Sequence, residues 1–353
     1  MSGIRQTHLR GAPRFRMRSI VGMCVSLLGL GSEAALSGPI FGVQSPEDLE
    51  VLPGGAAILI SEMADDHGAP GAFAVLDVSR SRVSALQITD DGRRDWGDPR
   101  CEQRISHLSP HGIHLSRRAD GQLLLLTINH AEQESVHAYA VQNAGGAYRL
   151  AWRGCVETAY NFNDIAATAD GFIATHQYDK PMGEGAGAME RLFGGADTGY
   201  AVRWSLSRGF RRIEGSEAAF PNGITVSHDG KVAWMAVTAG RQIRRLDLAQ
   251  DRQSAASPLP LAPDNLSWTM QGQLLVTGAL DLARLVDCAA RVPACSVPFA
   301  VAVIDPDTLV SRIVYRNDGR QLTGASVAVV SKKRMYIGSF LGNHLLEVPA
   351  PPL

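Results

Sequence analysis

The sequence predicts an all-β fold, a six-bladed β-propeller with four-stranded blades, on three observations. Its apolar runs are about four to eight residues long and are broken by Gly, Asp and Asn, the pattern of strands and turns rather than helices. One unit recurs six times: one or two polar or small residues, an apolar anchor, a short strand, a turn and a second apolar strand. The anchors Leu49, Ile113, Ile165, Ile224, Leu266 and Val327 are 64, 52, 59, 42 and 61 residues apart, which suits four strands per unit. A β-sandwich also has many short strands, but it does not explain a polar pair at the mouth of unit after unit.

In chain order, Arg5, Arg10, Arg14, Arg16 and Arg18 precede the apolar run Ile20 to Leu30 and the small-residue run Ser32-Glu33-Ala34-Ala35. An apolar segment of about 11 residues is too short for an ordinary spanning helix of about 20, so residues 1–35 read as a signal peptide or N-terminal signal anchor. Residues 36–353 read as a single propeller domain. The expected location is secreted or periplasmic, with peripheral membrane association through the N-terminus if the leader stays attached. The strand around Pro39 to Val43 is expected to complete the last blade, closing the ring.

The six units then begin at EDLEVLPGG from Glu47, HGIHLSRRADG from His111, NDIAATADG from Asn163, NGITVSHDG from Asn222, DNLSWTMQG from Asp264 and GASVAVVSKK from Gly324. Third strands follow at Phe73–Val78, Val136–Val141, Ala201–Leu206, Ile243–Leu248 and Phe299–Ile304. In the fourth unit two turn signals compete, Asn222-Gly223 and His228-Asp229-Gly230. The apolar alternation begins only after Asn222-Gly223, and the run Val232 to Val237 follows Gly230, so the hairpin turns at His228 to Gly230. Asn222 is then a polar residue at a strand mouth, and Gly223 lets the backbone come close to the axis.

A formal net charge of -1 with 20% charged residues gives no nucleic-acid-type basic excess. Beyond Cys24 in the leader there are Cys101, Cys155, Cys288 and Cys295, an even number that permits two disulfides in an exported chain. Three pairings are open, and Cys288 with Cys295 would close a short loop. No Gly-x-Ser-x-Gly, no phosphate-cradling Gly-x-x-x-x-Gly-Lys-Ser/Thr and no His-Glu-x-x-His is present; GEGAG at 183 to 187 reads as loop. The stretch Gly185 to Gly195 reads as a short amphipathic helix over the channel mouth, either a substrate lid or, preferably, a blade crossover. Oligomeric state is not encoded in any of these features.

The first strand of each propeller blade lines the central channel, so the strand mouths converge. The residues there are Glu47, Asp48, Asn163, Asp164, Asn222, Asp264 and Asn265, with no Lys or Arg among them. Carboxylates gathered this way repel one another unless a cation joins them. Six to eight oxygen ligands are what Ca²⁺ takes, and soft-metal ligands are missing from the set. Asn and Asp at strand starts also cap turns; repetition over five blades favours a shared ion.

With these residues in place the chain resembles the paraoxonase/arylesterase family of calcium-dependent propellers that hydrolyse lactones and aryl esters. The resemblance runs from about Gly42 to Val348 and rests on EDLEVLPGG, PHGI at 110 to 113, TINH at 127 to 130, NDI, PNGITVSHDGK, DN and LTGASVA at 322 to 328 taken in order. It implies two calcium sites, a catalytic one held by Glu47, Asn163, Asn222, Asp264 and Asn265, and a buried structural one held by Asp48, Asp164 and the Ile113 carbonyl. Successive residues of an extended chain face opposite ways, so adjacent residues can serve two ions. It also implies that His111 and His130 form the catalytic pair, one imidazole taking a proton from water while the other orients it. The small-molecule substrate would be a lactone or ester. Three departures stand out: no cysteine near Leu345-Leu346-Glu347, Leu280 where the animal members carry a further histidine, and a shorter segment from Ser61 to Gly71. The other readings of these residues are a gluconolactonase-like sugar lactonase and a non-catalytic, calcium-stabilised binding module.

Overall fold

Each repeat opens on an apolar anchor, and in the computed structural model all six anchors are buried. The structure describes residues 38–353 apart from 65–69, 103–107, 132 and 290–294. The leader expected at 1–35 and the centre of the Ser61 to Gly71 segment lie outside the described residues.

Six antiparallel sheets follow one another along the chain. Their inner strands are Pro46–Val51, Pro110–Arg117, Phe162–Thr168, Pro221–Val226, Ala262–Trp268 and Ala325–Ser331. Each inner strand packs against the inner strands of both neighbours, and the ring closes between Pro46–Val51 and Ala325–Ser331. Blade 6 is completed by Gly38–Phe41, which pairs antiparallel with His344–Pro349 from Gly38 opposite Glu347 to Phe41 opposite His344. Closure therefore rests on strand pairing, as the sequence predicts in the absence of a C-terminal cysteine. Blade 2 departs from the four-strand expectation: Gln87–Thr89, in the long connection from blade 1, adds a fifth strand parallel to Ala147–Glu157.

Alternation along the strands decides where the core lies. In Ala57–Glu62, Ile58 and Ile60 pack into a cluster shared with blade 6, while Ala57 and Leu59 pack into one shared with blade 2. The same division repeats around the ring, so six of the seven core clusters are each wedged between two neighbouring blades, and the seventh packs the helix Leu282–Ala289 onto blade 5. The turn expected at His228 to Gly230 is present: the Gly230 N–H donates to the Ser227 carbonyl at 2.8 Å, and Gly230 has a φ of 69°.

The stretch Gly185 to Gly195 contains the helix α1, Ala188–Phe193. It joins the second and third strands of blade 3 and so is an excursion within one blade, not a crossover between blades. A second helix, α2 at Leu282–Ala289, joins the corresponding strands of blade 5 and was not legible in the sequence. The cysteines pair as Cys101–Cys155 and Cys288–Cys295, with Cα atoms 5.7 and 5.5 Å apart. Among the described residues no helix is long and apolar enough to cross a membrane.

Leu59 is wholly buried between blades 1 and 2, whereas Leu206 is 63% exposed. Leu59→Ala is expected to cost about 2–5 kcal/mol of stability by urea titration, and Leu206→Ala less than about 0.5 kcal/mol. Equal effects would contradict the inter-blade core.

Candidate active site

The inner strands are not regular at their mouths. In all six blades the pairing with the second strand slips at one place: between Pro46 and Asp48, Pro110 and Ile113, Phe162 and Ile165, Pro221 and Ile224, Pro263 and Leu266, and Ala325 and Ala328. A β-bulge re-aims side chains that a regular strand would point into a neighbouring sheet. The bulges hold Glu47, His111, Asn163-Asp164, Asn222, Asp264-Asn265 and Ser326, which includes every side chain expected to bind calcium except Asp48, at the edge of its bulge. Gly112 and Gly223 sit in two of them because the next blade is so near. A Cβ on Gly112 would come within 2.6 Å of the Asp164 Cα, and one on Gly223 within 2.6 Å of the Asn265 Cα. The role of Gly223 is thus to admit the adjacent inner strand.

Three of the candidate ligands are oriented by their amide nitrogens. Asn163 Nδ2 donates to Gln177 Oε1 at 3.3 Å, Asn222 Nδ2 to Thr238 Oγ1 at 3.1 Å, and Asn265 Nδ2 to Glu47 Oε1 at 2.6 Å. Thr238 Oγ1 in turn donates to the Pro263 carbonyl at 2.7 Å, and Ser326 Oγ donates to the Glu47 carbonyl at 2.6 Å, so each holder is itself held. The amide oxygens of all three Asn, and Glu47 Oε2, are buried without a hydrogen-bond partner. Among the described residues these four are the only buried carboxylate or amide oxygens left in that state. Each such orphan costs about 1–3 kcal/mol unless something fills its lone pairs. A hard cation with oxygen coordination fits these four atoms and Asp264. No group of three or more His, Cys, Asp or Glu suited to a metal is found among the described residues, consistent with an amide-rich oxygen set.

Asp48 and Asp164 are arranged differently. Asp48 accepts the N–H of Leu49 and, from blade 2, that of Ile113, both at 2.8 Å. Asp164 accepts the N–H of Ile165 and, from blade 4, that of Ile224, both at 2.7 Å. These carboxylates tie neighbouring inner strands together.

Burial without a cation pushes the axial carboxyls up: Asp48 to about 7, Asp264 and Glu50 to about 8. Glu47 and Asp164 are also raised, first by burial and then by the neighbouring carboxylates.

His111, from the blade 2 bulge, and His130, just past the second strand of that blade, meet edge to face with ring centroids 5.2 Å apart. His111 Nδ1 lies 2.8 Å from the Asn163 carbonyl and 3.7 Å from Glu47 Oε2. A carbonyl only accepts, so Nδ1 carries the hydrogen and Nε2 keeps its lone pair. Burial, then the nearby His130, pushes the His111 imidazole down to about 3, which leaves it neutral. His130 Nδ1 lies 2.7 Å from Glu134 Oε2. The sequence reading missed Glu134, Gln177 and Thr238, since nothing in the repeat marks which side chain each will meet. Leu280, where a further histidine is absent, packs against the apolar cluster between blades 4 and 5. A cavity of about 2090 Å³ is lined by His114, Trp96, Trp204, Trp268 and Met270 and by none of the candidate ligands.

The fold is a six-bladed β-propeller whose inner-strand mouths carry an oxygen-rich donor set. The arylesterase family model matches residues 42–346, and the chain belongs to that family. It is similar to serum paraoxonase/arylesterase 1 of Homo sapiens, 24% identical over 83% of this chain and 82% of the relative, and to that of Mus musculus, 25% identical over the same shares. A gluconolactonase from Xanthomonas campestris shares the fold, with a TM-score of 0.52, 14% identity and 89% of each chain covered.

In the unfolded chain these carboxyls titrate near about 4. In the metal-free fold they keep their protons to about 7 or 8. The carboxyls bind more protons in the folded state across this window, while His111, His114 and His137, pushed down by burial to about 3 or 4, bind fewer until about pH 6.5, so the carboxyls act unopposed only above that. Metal-free protein should melt progressively lower from about pH 6.5 to about pH 8; a melting temperature that is flat or rises over that range would refute the buried, unpaired state of these groups.

Proposed function

We propose that the protein is a calcium-dependent hydrolase of lactones and aryl esters, working at the channel mouth. The observation that carries this is four orphaned oxygens at the mouths of the inner strands, beside a pair of imidazoles whose Nδ1 atoms each face an acceptor. Glu47, Asn163, Asn222, Asp264 and Asn265 would hold the catalytic calcium. When bound, the ion supplies Lewis acidity that polarises the substrate carbonyl and stabilises the charge developing on its oxygen.

The chain's own residues handle the proton. His111 donates from Nδ1 to the Asn163 carbonyl and offers Nε2 as acceptor for a water proton, with His130 placed to share or orient it. The proton then returns to the leaving alkoxide or phenoxide. A second, buried calcium is assigned to Asp48, Asp164 and the Ile113 carbonyl; Asp164 is raised first by burial and then by repulsion from Asp48, and that repulsion supports a cation there.

Residues 1–35 are read as an export signal or anchor, and two disulfides in the domain support an oxidising destination. The partner is a small lactone or ester rather than nucleic acid.

Chelation should abolish hydrolysis of an acyl lactone and of a phenyl ester, and calcium should restore both. His111→Gln is expected to lower kcat about 10²- to 10⁴-fold while leaving the calcium-induced rise in melting temperature intact. Asn222→Ala should weaken that rise, and Asp164→Ala should remove most of what persists at low calcium. Hydrolysis that survives EDTA would sink the proposal.

A further inference from the structure

His130 is held by a carboxylate that is itself held. Glu134 comes from the turn between the second and third strands of blade 2, and its side chain is 7% exposed. Its backbone carbonyl accepts the Thr158 N–H at 3.0 Å, which fixes the turn. One carboxylate oxygen, Oε2, faces His130 Nδ1 at 2.7 Å; the other, Oε1, faces Lys180 Nζ at 2.8 Å. Lys180 opens the 3₁₀ turn Lys180–Gly183 of blade 3, so the ion pair spans two blades. Burial alone would raise the Glu134 carboxyl, but the hydrogen bonds from His130 and Lys180 and the Lys180 charge hold it below its ordinary range. It is therefore an ionised acceptor, and the hydrogen between it and the imidazole belongs to His130 Nδ1.

Resting on the hydrolase reading above, we propose that Glu134 is a positioning residue that fixes His130 in its Nδ1–H form, and that Lys180 clamps Glu134 in place. With Nδ1 committed, the Nε2 lone pair is left for the pair with His111. When a water proton reaches Nε2, His130 carries hydrogen on both nitrogens, and its positive charge faces the Glu134 carboxylate. Glu134 takes no proton; the imidazolium gives its Nε2 proton to the leaving oxygen and returns to the starting form. A pair that merely pinned the rim would have no bearing on which ring nitrogen is protonated.

The Lys180 ammonium can only donate, which makes a sharp test. In Glu134→Gln the amide oxygen is drawn to Lys180, leaving the amide NH₂ against His130 Nδ1, where the ring must now accept. His130 is thereby forced into the Nε2–H form. Long-range ¹H–¹⁵N spectra of histidine-labelled, metal-free protein should show Nδ1–H in the parent and Nε2–H in Glu134→Gln. On lactone and phenyl ester, kcat should fall about 10- to 100-fold, with KM changed less than about twofold. Adding Lys180→Met to Glu134→Gln frees the amide to turn its oxygen to His130 and should recover part of both the tautomer and kcat. An unchanged His130 tautomer in Glu134→Gln, or unchanged kcat, overturns the proposal. So does a double variant no better than the single one. If the parent hydrolyses neither substrate the hydrolase reading fails, and the spectra still decide the role of Glu134. Should Glu134→Gln not fold, Lys180→Met alone, at an exposed position, is expected to lower kcat about two- to fivefold with intact melting, and no loss would overturn the clamp.

Discussion

Closing six sheets into a ring brings six inner strands to one axis, and every polar group placed there has to be satisfied from elsewhere in the ring. The described residues meet this in two ways. Asp48 and Asp164 use backbone N–H groups of the next blade, and these bonds are also ties between inner strands. Glu47 and the three Asn side chains satisfy one side of each group within the protein and leave an oxygen over. Stability and reactivity thus draw on the same ring of residues. The difference between them is whether the last lone pair faces a neighbouring backbone or the open axis.

Much of this was legible in the sequence because it is local. The apolar anchors, the two-strand units and the turn at His228 to Gly230 depend on period and turn chemistry within about 15 residues. The closing strand was legible because a unit with three strands has to borrow a fourth. The convergence of Glu47, Asn163, Asn222 and Asn265 followed once the repeat was seen. What the sequence hid depends on side-chain pairings that no repeat or turn signal encodes. Gln177, Thr238 and Glu134 are ordinary polar residues until the fold puts Asn163, Asn222 and His130 beside them. The bulges were seen only as polar pairs at strand mouths, since one extra residue does not disturb the pattern of an eight-residue window. Helix α2 was hidden because its apolar face is short and lies in a stretch whose flanks read as strand.

The two excursions α1 and α2 occupy equivalent positions, between the second and third strands of blades 3 and 5. Phe193, at the end of α1, meets Phe220 with ring centroids 4.4 Å apart, and Phe220 directly precedes the Pro221–Val226 strand that carries Asn222. Phe220 adopts a φ of 58°, a strained value for an aromatic residue, directly beside the site. Cys288, in α2, is buried and bonded to Cys295, so the blade 5 excursion is pinned covalently where α1 is pinned by aromatic contact. The scaffold residues on the axis are thus fixed by strands, while the two excursions beyond the blades have separate supports.

The pairing of Gly38–Phe41 with His344–Pro349 joins the first described strand to the last. A ribosome makes the first of these before every other described strand and the second after them all, so blade 6 stays open until the last described strand is made. Blade 6 also holds the site, because Ser326 bonds the Glu47 carbonyl across the seam. A chain that ends early therefore lacks a closed ring and the hold on Glu47 together. The seam thus makes the hold on Glu47 wait for strands from both ends of the ring.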